Sequence, residues 1–113
     1  MKYKLSCKIW LEWKGKKVFG DGPCDILQRV ERTGSLRAAA KEIRMSYSQA
    51  WRLIDLLENE LGFPLLNKRA GGSSGGGSEL TPQGRELLRR FAPFREEAQQ
   101  ALQELYQKYF ADA

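Results

Sequence analysis

Residues 34 to 52 read Gly34-Ser35-Leu36-Arg37-Ala38-Ala39-Ala40-Lys41-Glu42-Ile43-Arg44-Met45-Ser46-Tyr47-Ser48-Gln49-Ala50-Trp51-Arg52, and this stretch decides the fold. Gly34 accepts the left-handed backbone of a helix stop, so one helix ends there. Ser35 then caps a second, short helix, whose Leu36, Ala39, Ala40 and Ile43 fall on one face. Met45 fills a tight turn, and Ser46 caps a third helix with Ala50, Leu53, Ile54, Leu57 and Leu61 as its apolar stripe and Gly62 as its stop. Two short helices joined by a few residues, with alanines where they touch, form a helix-turn-helix.

Upstream, Pro23 suits the first turn of a helix, Asp25 is well placed against its dipole, and Ile26, Leu27 and Val30 are its buried stripe. Before that, the odd positions Tyr3, Leu5, Cys7, Ile9, Leu11 and Trp13 are apolar and the even ones polar apart from Trp10, a period of two that predicts a strand. Lys14-Gly15-Lys16 turns it back into Lys17-Val18-Phe19. Downstream, Pro64 to Arg69 reads as a strand, Ala70 to Ser78 as a glycine-rich hairpin tip, and Glu79-Leu80-Thr81 as the returning strand. No Gly-Lys-Ser or Gly-Lys-Thr closes the glycine tract, so it is not a nucleotide-binding loop. Thr81-Pro82 opens a long final helix in which Leu87, Phe91, Phe94, Ala98, Ala101 and Leu105 recur at the alternating spacings of a packed helix pair, extended by Leu102, Tyr106, Tyr109 and Phe110. Pro93 predicts a kink within it.

These elements make a mainly α fold with a small β component, in one domain over residues 1–113. A β-hairpin covers 1–20, a three-helix core 22–62 with the helix-turn-helix at 35–62, a β wing 64–81 and a dimerisation helix 82–110. The pairing residues of that last helix are Leu87, Phe91, Phe94, Ala98, Ala101, Leu105 and Tyr109.

Composition removes most enzyme chemistry. The 113 residues contain no histidine, so there is no Ser-His or Cys-His nucleophilic pair and no histidine-containing metal site. Cys7 and Cys24 alone cannot build a four-thiolate site; they read as free structural thiols. No apolar run approaches the roughly 18 residues of a membrane span, and the start of the chain is not signal-like. The expectation is a cytoplasmic non-enzyme with no cofactor, no metal and no membrane partner.

Charge points to the partner. Residues 1 to 70 hold 14 Lys or Arg against 8 Asp or Glu, whereas residues 71 to 113 hold 5 against 6. An anionic partner therefore meets the front of the molecule, and double-stranded DNA supplies that charge. On the third helix, Ser46, Tyr47, Ser48, Gln49 and Arg52 are candidates for the surface that enters a groove. Serine hydroxyls and helix N-terminal amides hold phosphates, Gln49 or Arg52 suits adenine or guanine edges, and Tyr47 suits a thymine methyl or a phosphate. Trp51 stays open between support and contact.

The run Gly34 to Ile43 resembles the opening of the winged helix-turn-helix in LysR-type and ModE-type bacterial transcription regulators. Met45-Ser46-Tyr47-Ser48-Gln49-Ala50-Trp51 narrows the resemblance to the ModE type, the molybdate-responsive regulators, as do the basic glycine-rich wing and the exit Leu80-Thr81-Pro82-Gln83-Gly84. What this implies is a sequence-specific transcription regulator, homodimeric on an inverted repeat. Ser35, Arg37 and Lys41 would then serve DNA from the second helix, and Lys68, Arg69, Ser73 and Ser74 from the wing. Molybdate or tungstate sensing in that family belongs to an additional oxyanion-binding domain and is not expected of this chain, so the effector is unknown. A nonspecific architectural DNA binder and a winged-helix protein-interaction module are the alternatives.

Overall fold

A computed structural model describes residues 2–68 and 77–112. The first helix, α1 (Asp21–Thr33), buries Cys24, Ile26, Leu27 and Val30. It ends where Gly34 adopts φ 77° and donates its N–H to the Val30 carbonyl at 2.7 Å. Ser35 Oγ accepts from Ala38 N at 3.1 Å and opens α2 (Leu36–Glu42), which buries Leu36, Ala39 and Ala40. In the turn that follows, Arg44 takes the left-handed conformation with φ 58°, while Ile43 and Met45 pack against the core. The next helix, α3 (Tyr47–Leu61), buries Ala50, Ile54 and Leu57 and stops at Gly62, φ 83°. Alanines on both helices let their backbones approach closely, as the sequence pattern requires.

Glu42 ties α1 to α2. Its Oε1 accepts from Arg29 Nη1 at 2.9 Å and also from Arg32, and Arg29 Nε reaches Asp25 at 3.0 Å. Those two guanidinium groups, Arg32 first, hold the Glu42 carboxyl below the usual glutamate range.

The wing is clamped at its base. Glu58 Oε2 accepts from the backbone N–H of Leu65 at 2.6 Å and of Leu66 at 3.2 Å. Strand β3 (Leu66–Lys68) pairs antiparallel with β4 (Ser78–Leu80), Leu66 opposite Leu80. Ser78 N donates to Gly34 O at 3.0 Å, which fastens the returning strand to the helix junction. Thr81, buried, donates its hydroxyl to Pro64 O at 2.6 Å and accepts from Gly84 N at 2.9 Å, closing the wing and opening α4 (Pro82–Phe110) together. Gly84 is buried beneath it, and a Cβ there would lie 2.6 Å from the Leu65 carbonyl oxygen. The Leu-Thr-x-x-Gly exit is therefore a packing requirement.

Pro93 lies inside α4 without ending it. One pairing residue read from the sequence is corrected. Phe91 is only 2% exposed, because its ring packs edge-to-face on Phe19 at 5.1 Å and completes the core. Leu87 is half-buried against the same core. The remaining stripe behaves differently, with Phe94, Leu102, Leu105 and Tyr109 all exposed.

The hairpin is shorter than its alternation suggests: β1 (Trp10–Trp13) pairs with β2 (Lys16–Gly20) across a turn at Lys14 and Gly15, φ 52° and 76°. β2 gives way to α1 after Gly20, so residues before Trp10 have no strand to pair with. They still alternate, with Leu5, Cys7 and Ile9 half-buried and the intervening residues exposed. This extended segment borders α4 at Glu96, Gln99, Gln100 and Gln103, and the Tyr106 hydroxyl donates to Tyr3 O near the helix end. Both cysteines are free thiols, Cys24 buried and Cys7 half-buried.

Gly84→Ala is expected to lower stability by about 1–3 kcal/mol, because the new methyl meets backbone rather than a movable side-chain tip. Urea denaturation checks this, and a variant as stable as the parent contradicts it. Glu42→Gln is expected to unfold at lower temperature than the parent at neutral pH. A carboxyl whose folded pKa is depressed stabilises above its unfolded value and loses that contribution as pH falls through the folded one. The two melting temperatures should converge in acid, and a gap independent of pH would refute the assignment.

Candidate nucleic-acid interface

The N-terminal turn of α3 is built by reciprocal capping. Ser46 Oγ accepts from Gln49 N, and Gln49 Oε1 accepts from Ser46 N, each at 3.1 Å. The Gln49 carbonyl oxygen spends one lone pair there, so the cap fixes the orientation in which this side chain can meet any partner. Ser35 likewise spends an oxygen lone pair on its own cap, keeping its O–H to donate. Ser48 and Arg52 lie one turn apart on α3, both exposed and with no hydrogen bond or ion pair from their side chains among the described residues.

Arg37 and Lys41 stand exposed on α2, and Arg44 in the turn beside them. Arg44 was not singled out by sequence reasoning. The available signal is that the tight turn needs one left-handed residue and offers no glycine or asparagine between Glu42 and Ser46. Among the described residues, Arg37, Lys41, Arg44 and Arg52 make no ion pair, whereas Arg29 and Arg32 on the neighbouring helix are neutralised by Glu42. Neither α2 nor α3 has an acidic residue in its first turn, so both helix N-termini present positive dipole ends here.

Tyr47 is half-buried, with the Arg37 guanidinium 4.2 Å from its ring centroid. Trp51 meets Tyr47 edge-on at 6.2 Å and packs on the core, which gives it the supporting role. Lys68 ends β3. Arg69, Ser73 and Ser74 lie outside the described residues. The described residues contain no group of three or more acidic or cysteine side chains able to hold a metal, and no helix long and apolar enough to cross a membrane.

Comparison with known proteins places this geometry. Residues 24–85 match the model of the bacterial regulatory helix-turn-helix proteins of the lysR family. Among curated proteins, the chain is 39% identical over 83 residues to the molybdenum transport protein ModE of Azotobacter vinelandii, covering 74% of this chain and 31% of that protein. It is 35% identical over 78 residues to the DNA-binding transcriptional dual regulator ModE of Escherichia coli K12, covering 67% of this chain and 29% of that one. The chain thus spans less than a third of the length of these relatives. Among solved structures, the DNA complex of the CbnR DNA-binding domain aligns with TM-score 0.63 and 25% identity, over 77% of this chain and 94% of that one. The match covers more than half of the sequence and includes the whole helix-turn-helix and wing, so the chain belongs to the lysR family of bacterial regulatory helix-turn-helix proteins and carries its DNA-binding regulatory domain.

Proposed function

We propose that this domain reads double-stranded DNA by sequence, as a homodimer on an inverted repeat, with α3 in the major groove. The observation that carries the reading is that Arg37 and Lys41 on α2, Arg44 in the turn and Arg52 on α3 are all exposed and make no ion pair among the described residues, beside the capped N-terminus of α3. In this reading Ser35, Arg37, Lys41 and Arg44 meet phosphates, with Lys68, Arg69, Ser73 and Ser74 doing so from the wing, and Ser48 and Arg52 face base edges. Ser46 and Gln49 hold the helix end in place, so their contribution to sequence preference is secondary.

The dimer rests on α4. Phe94, Leu102 and Leu105 expose 52%, 36% and 50% of their surface, and Tyr109 67%, more apolar side chain than an isolated domain gains by leaving in water. Phe94 and Leu102 are equally spaced about Ala98, as are Leu87 and Tyr109. Antiparallel pairing centred on Ala98 would set Phe94 against Leu102 and Leu87 against Tyr109, with Ala98 allowing close approach at the crossing. It also separates the two α3 helices, which suits half-sites about 10 base pairs or a multiple apart.

Selection of bound fragments from genomic DNA should return an inverted-repeat motif bound at least ~10³ times better than random duplex. Arg52→Ala should cost ~1–3 kcal/mol on that motif and relax one position of it, while Gln49→Ala leaves the preferred sequence unchanged. Equal affinity for every duplex at physiological salt would instead make the protein an architectural DNA binder. Leu105→Glu should convert the dimer to a monomer in sedimentation equilibrium and weaken binding to the full repeat far more than to a half-site; a dimer that survives the substitution rules out this seam.

A further inference from the structure

The contact between Arg37 and Tyr47 joins the two helices of the motif at its DNA-facing end. Arg37 is the second residue of α2 and Tyr47 the first of α3, and the guanidinium carbon lies 4.2 Å from the ring centroid. That distance is well inside the range of a cation–π interaction. The ring is itself held. It is half-buried, packs against the core and meets Trp51 edge-on with an interplanar angle of 90°. Tyr47 and Trp51 are four residues apart, on one face of α3, so the stack runs Arg37, Tyr47, Trp51 from the solvent inwards.

We infer that Tyr47 is a positioning residue that orients Arg37 for a phosphate, and does not itself touch DNA. An exposed arginine loses considerable rotamer freedom when it is fixed on a ligand, and pre-orienting it removes part of that cost before binding. A carboxylate partner would also fix the side chain, but it would cancel the charge and occupy the N–H donors. Arg29 and Arg32 show that outcome on α1, where Glu42 takes up both. An aromatic face leaves the charge intact and the N–H fork free at its edge. The arrangement also accounts physically for the Ser-Tyr-x-x-Ala-Trp spacing, with serine as the cap, tyrosine as platform, alanine as the close helix contact and tryptophan as the wall behind the platform.

This inference rests on the reading that Arg37 meets DNA, and the test separates the two. Binding of the full chain to a fluorescein-labelled random duplex and to the selected motif is followed by anisotropy across a salt series. Tyr47→Phe keeps the ring and should bind as the parent does. Tyr47→Leu should weaken binding to both duplexes roughly two- to fivefold, the worth of an exposed cation–π contact. Arg37→Ala should flatten the salt dependence by about 0.9 in log–log slope, as one lost phosphate contact does. In the Arg37→Ala background, Tyr47→Leu should have no further effect. A loss with Tyr47→Phe equal to that with Tyr47→Leu would mean that the hydroxyl contacts DNA, and additive losses would mean that the two residues act independently; either overturns the inference. An unchanged slope with Arg37→Ala would instead defeat the phosphate assignment beneath it. If Tyr47→Leu does not fold, the Arg37 δ-proton resonances of the free parent decide: they should be ring-shifted upfield, equally in Tyr47→Phe, and unshifted resonances overturn the stack.

Discussion

The structure turns on the two residues Gly34 and Ser35. Gly34 reverses the chain through a backbone conformation that is costly for most other residues, and in doing so it aims its carbonyl at Ser78 N of the returning wing strand, 3.0 Å away. Ser35 starts the next helix in the same place by accepting from Ala38 N. Helix α1, helix α2 and the wing are thereby referenced to one point. The relative placement of α3 and the wing, which decides whether both can reach one duplex, follows from that point and from the Glu58 and Thr81 clamps at the other end of the wing.

Much of this was legible in the sequence because it depends on local chemistry. Caps at Ser35, Ser46 and Thr81 and stops at Gly34 and Gly62 are set by the residues within a turn of them, so the helix limits lie where those residues are. The hairpin was overextended for a non-local reason: alternation describes which side chains face inward, whereas strand pairing needs a partner, and β2 is too short to provide one beyond Trp10. Leu5 and Cys7 satisfy the alternation half-buried beside α4, and Ile9 does so against the core. Phe91 escaped for the related reason that periodicity cannot say which of two partners takes a given position of a stripe. Its own Phe19 does, whereas Phe94, Leu102, Leu105 and Tyr109 further along the helix are exposed.

The candidate site was legible as a set of residues but not as a division of labour. Gln49 has the side chain of an adenine reader, yet its carbonyl oxygen is engaged in the capping box. Tyr47 has a hydroxyl suited to phosphate, yet its ring is already under Arg37. In both cases a donor or acceptor inventory overstates what the residue has left to offer, because the fold uses the same atoms first. Arg44 is the converse, a cation set beside the capped end of α3 by a backbone conformation that no side-chain pattern announces.

Charge placement follows the same logic at larger scale. Several acidic residues are committed to arginines: Glu42 to Arg29 and Arg32, Asp21 to Arg95, and Glu86 to Arg89 and Arg90, with the Glu86 carboxyl held down at about 2 by those last two. None of these pairs need contribute much stability, since exposed ion pairs are weak. The Glu42 pairing matters most for charge placement, because it neutralises the carboxylate next to Lys41, while Arg37, Lys41, Arg44 and Arg52 face solvent without an ion pair among the described residues. A net charge of +5 spread evenly over a domain of this size would attract a polyanion from any direction. The four cations of α2, its turn and α3 instead give that face a local positive potential, which favours docking an anion in one orientation over others.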